Sequence, residues 1–135
     1  MLRLLTCLLL VAALASGCSQ QETSVQAVGQ VMKIRSDALN SRNSTLYLSV
    51  VSPRYSDKGK DFSQLKESII TNFMSFENVS YQSGEHSITI DGNYARASGA
   101  YRMKVVVKGR EVVLDGVENL KFSKESDGWK FIAGL

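Results

Sequence analysis

The spacing of the apolar residues changes once along this chain, near Asn78. Before that point apolar side chains recur three and four positions apart, as on one face of a helix. After it they alternate with polar side chains, as in strands with one buried and one wet face. The pattern therefore predicts helices first and an antiparallel sheet second, which is the order of an α+β domain.

Two helices are predicted before the only proline. The first begins after Ser24, which can cap it, and its apolar stripe runs over 25–39 and includes Arg35. A short second helix covers Thr45 to Val51. It must end there because Pro53 disfavours helical geometry in the residue before it.

A third helix is predicted after a turn-rich loop over 54–60. Asp61 and Gln64 have the spacing of a capping box at its start. Its apolar face is spaced three and four residues apart, as expected for a helix packed on a core. The residues of that face are Phe62, Leu65, Ile69, Phe73 and Phe76.

Four strands follow, separated by turn signals at 91–93, 108–110 and 126–128. In the first strand Val79 and Tyr81 alternate, followed by Ile88 and Ile90. The second strand has the clearest alternation. Its apolar face comprises Ala95, Ala97, Gly99, Tyr101, Met103, Val105 and Val107, and its polar face Arg96, Ser98, Arg102, Lys104 and Lys108.

The chain starts with a different pattern, an apolar run over 4–14 that follows Arg3. The run is shorter than the roughly 20 residues of a membrane-spanning helix and has the length of a secretory signal core. The sequence Ala15-Ser16-Gly17-Cys18 then resembles the lipobox of bacterial lipoproteins. That resemblance implies cleavage before Cys18 and transfer of lipid to its sulfur.

The lipobox divides the chain into a signal peptide over 1–17, a lipidated cysteine with a polar tether over 18–24, and a folded domain over 25–135. Lipoproteins with Asp after the cysteine stay at the inner membrane. Ser19 stands there instead, which favours the outer membrane, facing the periplasm. We therefore expect a lipid-anchored protein of the bacterial cell envelope.

Charge and cysteine usage narrow the function further. The net charge is +3, and the basic residues form no stripe with interleaved aromatics, so nucleic-acid binding is not expected. Both cysteines lie at or before position 18, which leaves the domain without a thiol or a disulfide. His86 is the only histidine, so a multi-histidine metal site is excluded, and no cofactor is predicted.

Within the domain, the paired helices ending near Ser52-Pro53, the long strand through 97–101 and the tail Leu120 to Phe131 resemble the nuclear transport factor 2-like (NTF2-like) superfamily. That group includes ketosteroid isomerases and SnoaL-type cyclases. The resemblance implies a cone-shaped half barrel with an internal cavity, and often dimers through the outer sheet face, but no particular reaction. A cystatin-like fold is the alternative; its single long helix fits three helical segments less well.

Glu118 is the unusual residue of the third strand. Without a bulge it shares a face with Leu114, Gly116 and Leu120, and a carboxylate there could act as a base or bind a cation. A bulge near Gly116 would turn it to solvent instead. Tyr101, on the apolar face of the neighbouring strand, could be its partner.

Three further residues complete the predicted cavity lining. Tyr47 and Tyr55 flank the end of the second helix, where they line a cavity mouth or simply pack. Met103 shares the inward face of Tyr101. His86 follows Gly84 closely, which suggests a position near a strand end and no catalytic role.

Three functions fit these observations. The leading hypothesis is a non-catalytic binding module for a small apolar ligand or an envelope protein. The alternative is an isomerase- or dehydratase-like enzyme with Glu118 as base and Tyr101 as oxyanion donor. The last is a structural envelope protein that forms a homodimer, or meets an acidic partner through the face carrying Arg96, Arg102, Lys104 and Lys108.

Overall fold

The computed structural model describes the backbone of residues 2–135 and the side chains of residues 20–135. The helical part contains α1 (Leu2–Ser41), α2 (Ser44–Ser49), β1 (Ser56–Asp57), β2 (Lys60–Asp61) and α3 (Phe62–Ser75). The sheet part contains β3 (Asn78–Asp91), β4 (Tyr94–Val107), β5 (Arg110–Glu125) and β6 (Gly128–Ala133). Helices followed by a curved antiparallel sheet confirm the predicted α+β class.

The first helix is longer than predicted. It does not begin after Ser24, because α1 runs without a break through the polar segment 19–24. That segment contains no glycine or proline, and its Gln and Glu residues favour a helix. The side chain of Cys18 lies outside the described residues, so its lipidation stays a prediction. In the part whose side chains are described, no helix is long and apolar enough to cross a membrane.

The next two helices begin at side-chain caps. Asn43 caps α2 by accepting a hydrogen bond from the Leu46 amide at 3.0 Å, and the helix ends at Ser49, two residues before the predicted end. The capping box of α3 is confirmed. The Asp61 carboxylate and the Gln64 side chain each accept a backbone amide of the other residue at 2.9 Å.

The main sheet is the predicted four-stranded meander, in the order β3-β4-β5-β6. The register of β4 with β5 is continuous, whereas β3 has a bulge in which Gly84 and Glu85 lie opposite Ala100. β6 pairs only with residues 121–125 of β5. Lys108 was predicted on the polar face of the second strand; it lies instead in the turn after β4, because that strand ends at Val107.

Two clusters of buried residues lie between α1 and the inner face of the sheet. The filled core comprises Val28, Val50, Ala95, Ala97, Leu120, Phe122, Trp129 and Phe131. The cavity core comprises Ala38, Leu39, Tyr47, Val51, Tyr55, Leu65, Ile69, Phe73, Val79, Tyr81 and Val105. Residues of α2 and α3 contribute mainly to the cavity core, so these helices cover only one half of the sheet.

Candidate ligand-binding site

A cavity of about 750 Å³ adjoins the cavity core, bordered by all three helices and by β3, β4 and β5. Its apolar lining includes Leu39, Ile69, Phe73, Phe76, Val79, Met103, Leu114 and Val117. Its polar lining is of similar extent and comprises Arg35, Tyr47, Asp57, Lys58, Asn72, Tyr81, Tyr101, Glu118, Asn119 and Lys121. Apolar walls offer contact area to a small molecule, and polar side chains among them can fix its orientation.

Glu118 points inward, because the continuous β4–β5 register leaves no bulge at Gly116. Its side chain is only 7% exposed, and three polar side chains from distant parts of the chain surround it. The Tyr81 hydroxyl and His86 Nε2, the latter at 3.0 Å, contact Oε1, and Arg35 Nη1 contacts Oε2 at 3.1 Å. Both carboxylate oxygens are therefore engaged within the protein.

Arg35 reaches this cluster from α1, where it interrupts the apolar stripe. Its guanidinium lies 5.1 Å from the centre of the Tyr81 ring and 5.8 Å from that of Phe131. Burial lowers the pKa of Arg35, but Tyr47, Glu118 and Tyr81 outweigh this effect and raise it above its usual value. The side chain thus stays a cation and forms a buried ion pair with Glu118.

The two tyrosines beside Arg35 stay protonated at neutral pH. Burial, followed by the hydrogen bond to Glu118, raises the pKa of Tyr81 to about 12. Burial also raises the pKa of Tyr47. Both hydroxyls therefore keep their protons, and Tyr81 donates its proton to Glu118.

The bulge in β3 places His86 in the middle of the strand, not near a strand end as predicted. The bulge adds one residue to the strand. Odd-numbered residues such as Val79 and Tyr81 therefore point inward before it, and even-numbered residues such as His86 point inward after it. The imidazole Nδ1 lies 2.9 Å from the Gly84 carbonyl oxygen and 3.1 Å from Ser83 Oγ. His86 is thereby fixed beside Glu118.

The structure places four of the five predicted lining residues on the cavity: Tyr47, Tyr101, Met103 and Glu118. Tyr55 is not among its lining residues. It is buried in the cavity core, and its hydroxyl bonds the backbone of Leu135 at 3.0 Å.

Tyr101 is not the partner of Glu118 in the described structure. It stacks on Tyr81 with ring centres 6.2 Å apart, and Gly116 leaves room for its ring. The partner tyrosine is Tyr81, since the hydroxyl of Tyr81 reaches Glu118 from the other side of β4.

Sequence reasoning missed three members of the cluster: Arg35, Tyr81 and His86. Two signals were present. A charged residue within an apolar helical stripe requires an acidic partner when buried. The change from odd to even apolar positions between Tyr81 and Ile88 requires a bulge, and Gly84 lies there.

Metal binding finds no support in the part of the chain whose side chains are described. There, no group of three His, Cys, Asp or Glu side chains could hold a metal ion.

On the outer sheet face, which was predicted to meet an acidic partner, Arg102 pairs with Asp115 of the same chain at 2.8 Å. The Arg102 hydrogen bond lowers the pKa of Asp115, and the same bond raises that of Arg102.

No protein-family profile and no curated protein sequence matches this chain. Solved structures do. A protein from Novosphingobium aromaticivorans, provisionally identified as a scytalone dehydratase, has a TM-score of 0.76 at 13% identity and covers 85% of this chain and 83% of its own. An NTF2-like superfamily protein from Salmonella enterica has a TM-score of 0.72 at 20% identity and covers 84% of this chain and 92% of its own.

A third similar structure comes from Shewanella frigidimarina and is provisionally identified as a ketosteroid isomerase. It has a TM-score of 0.64 at 22% identity and covers 78% of this chain and 90% of its own. At such identities the likeness shows the fold alone. The chain therefore has the NTF2-like fold, as the sequence resemblance predicted, and its function must be argued from the site.

Proposed function

We propose that this chain is a lipid-anchored binding module of the bacterial cell envelope that holds a small, largely apolar ligand in its cavity. The observation that carries the proposal is a cavity that combines apolar walls with polar side chains, among them the buried cluster around Glu118. The cavity supplies apolar contact, and the cluster supplies a fixed polar contact that orients the ligand.

The size and lining of the cavity support ligand binding. Its volume of about 750 Å³ falls within the range of small-molecule sites, roughly 300–1,000 Å³. Leu39, Phe73 and Met103 offer apolar contact, and Leu114 is 44% exposed beside them. Burying these side chains against an apolar ligand would contribute roughly 25 cal/mol per Å² of apolar surface.

The bonding of Glu118 favours binding over catalysis. A general base needs a free lone pair within reach of the proton that it takes. One lone pair of Glu118 Oε2 stays open beside the bond from Arg35, but the carboxylate also balances the Arg35 charge. Protonating the carboxylate would leave Arg35 buried without a counter-charge, which is costly. Glu118 is therefore a positioning group in this proposal.

The anchor is part of the proposal and rests on the run over 4–14 and on Cys18. A second acyl chain makes such anchoring stable, since one chain alone is marginal. We expect Cys18→Ser to shift the protein from the outer-membrane fraction to the soluble periplasmic fraction. A matched Cys7→Ser variant should stay in the membrane. Equal membrane fractions for both variants would contradict lipidation at Cys18.

The ligand is tested by native mass spectrometry of the full chain, purified gently from membranes. The proposal predicts a bound small molecule that is released on denaturation and partitions into organic solvent. A protein that carries no such mass and binds no member of an apolar ligand panel would contradict it.

An enzyme is the second candidate, favoured by the dehydratase- and isomerase-like structural neighbours and by the proximity of Glu118, His86 and Tyr81. Prolonged incubation of the co-purified molecule with the chain would then yield a dehydrated or isomeric product. Glu118→Gln would abolish this turnover. A molecule recovered unchanged supports the binding module.

A further inference from the structure

We infer that the ligand's polar group is an oxygen acceptor, either a carbonyl or a carboxylate, and that Arg35 is the group that selects it. The inference rests on the proposed function and adds the chemical class of the ligand. It starts from a buried N–H group that the protein leaves without a partner.

That group is Arg35 Nε. Among the side chains of residues 20–135 it is the one buried polar atom without a hydrogen-bond partner. The Arg35 side chain is 11% exposed, and Nη1 is already bonded to Glu118 and Tyr81. A buried N–H without an acceptor costs free energy, and native proteins rarely leave one unpaired.

The surroundings of Arg35 offer few acceptors to satisfy this N–H. Both Glu118 oxygens are held by Tyr81, His86 and Nη1 of Arg35 itself. The Tyr47 hydroxyl lies beside the guanidinium as an acceptor for it, and, like the Tyr101 hydroxyl, it keeps a proton that it can donate to a ligand. The polar groups beside Arg35 can thus mainly donate, and Asp57, the other side-chain carboxylate of the cavity, already accepts a hydrogen bond from the Gly134 amide at 3.1 Å. This arrangement matches an oxygen acceptor better than an ammonium group.

Arg35 is also placed where a ligand can reach it. It borders the main cavity and a second one of about 360 Å³ between α1 and β3. Tyr81 borders both cavities as well, so these two side chains form the partition between them. An acceptor bound in either cavity would therefore lie beside the Arg35 side chain.

The test compares ligands that share one apolar body and differ in the polar group: naphthoate, acetonaphthone and naphthylmethylammonium. Binding is measured by fluorescence titration of the full chain in phospholipid nanodiscs, with empty nanodiscs as the blank. We expect the two acceptor ligands to bind about tenfold more tightly than the ammonium, as for one charge-assisted hydrogen bond. The ratio between naphthoate and acetonaphthone distinguishes a carboxylate from a carbonyl.

Variants assign the preference to Arg35. Arg35→Lys keeps a cation beside Glu118 but removes Nε–H, so the preference for acceptor ligands should fall severalfold. Lys66→Gln changes an exposed cation that borders neither cavity and should leave the preference unchanged. If Arg35→Lys does not fold, as judged by circular dichroism, the panel on the unaltered protein still decides.

Two results would overturn the inference, and they differ in their meaning. If the ammonium ligand binds as tightly as the others, the cavity binds apolar ligands but Arg35 does not select an acceptor. In that case the proposed function survives alone. If no ligand of the panel binds, both fail.

Discussion

The two halves of the inner sheet face carry the same kind of strand but very different packing. In the filled core, Phe122 and Phe131 are fully buried and their ring centres are 4.5 Å apart. In the cavity half, Leu114 is 44% exposed on the same face of β5. One half of the sheet therefore stabilises the domain, and the other half leaves the space in which we propose that a ligand binds.

The difference follows from where β6 ends. β6 pairs only with residues 121–125 of β5, so it completes the sheet over the filled core alone. Within the described structure, residues 110–120 of β5 pair with β4 on one side and have no neighbouring strand on the other. Small residues add space there, since Gly116 faces the Tyr101 ring where a larger side chain would intrude. The Arg35–Glu118 cluster lies at the boundary between the halves.

The largest predicted effect concerns the filled core. Phe122→Ala should lower the free energy of unfolding by about 4 kcal/mol, because the side chain is fully buried and leaves a cavity. Met103→Ala, on the half-buried cavity wall, should cost about 1–2 kcal/mol, since part of its surface is already exposed. Chemical denaturation measures both. Equal losses would show that the two halves are packed alike.

The boundary cluster should give the next effect. Arg35→Met leaves the Glu118 charge buried without its cation, and we expect a loss of about 3 kcal/mol. Replacing both residues, as Arg35→Met with Glu118→Leu, should recover much of that loss because no unpaired charge remains. A double variant less stable than Arg35→Met would mean that the polar cluster itself holds the halves together.

The cap of α3 should give a smaller effect, confined to the cavity half. Asp61→Ala removes the acceptor for the Gln64 amide and should cost about 1 kcal/mol. Asp61→Asn, which can still cap, serves as the control. Hydrogen exchange should rise in α3 and stay unchanged in β6. A rise in both elements would show that the halves unfold as one unit.

The smallest effect is a pH dependence next to the filled core. Burial alone would raise the pKa of Glu125, but hydrogen bonds from Ser52, Ser123 and Arg54 lower it below the usual 4.5. Because the folded-state pKa is depressed, this stabilisation is present above pH 4.5 and lost as the pH falls through the folded value. Glu125→Gln should therefore flatten the dependence of stability on pH below 4.5. An unchanged slope would remove Glu125 as its source.

Much of the fold was predictable from local patterns, because caps, turns and alternation involve residues close together in the chain. Asp61 with Gln64 indicated the start of α3, and the alternation in β4 indicated its inner face. The inward position of Glu118 followed from the same alternation once a bulge was absent.

The contacts of the site were not predictable in this way. Arg35 and Glu118 are 83 positions apart, and their meeting depends on how α1 crosses the sheet. Tyr101 was favoured as the partner because it lies on the strand next to Glu118. The bond to Glu118 comes instead from the hydroxyl of Tyr81, whose ring stacks on Tyr101. The bulge at Gly84 was readable in principle, since the apolar positions change parity there.

The most direct test of the account compares two neighbouring positions of β5 with equal exposure, Leu114 and Val113. Leu114 lines the cavity, whereas Val113 lies on the outer face opposite Lys104. Native mass spectrometry of the membrane-purified chain should show that Leu114→Trp loses the bound small molecule. Val113→Trp should retain it, with both variants as stable as the unaltered protein. Equal ligand occupancy in the two variants would contradict a ligand site in the cavity half.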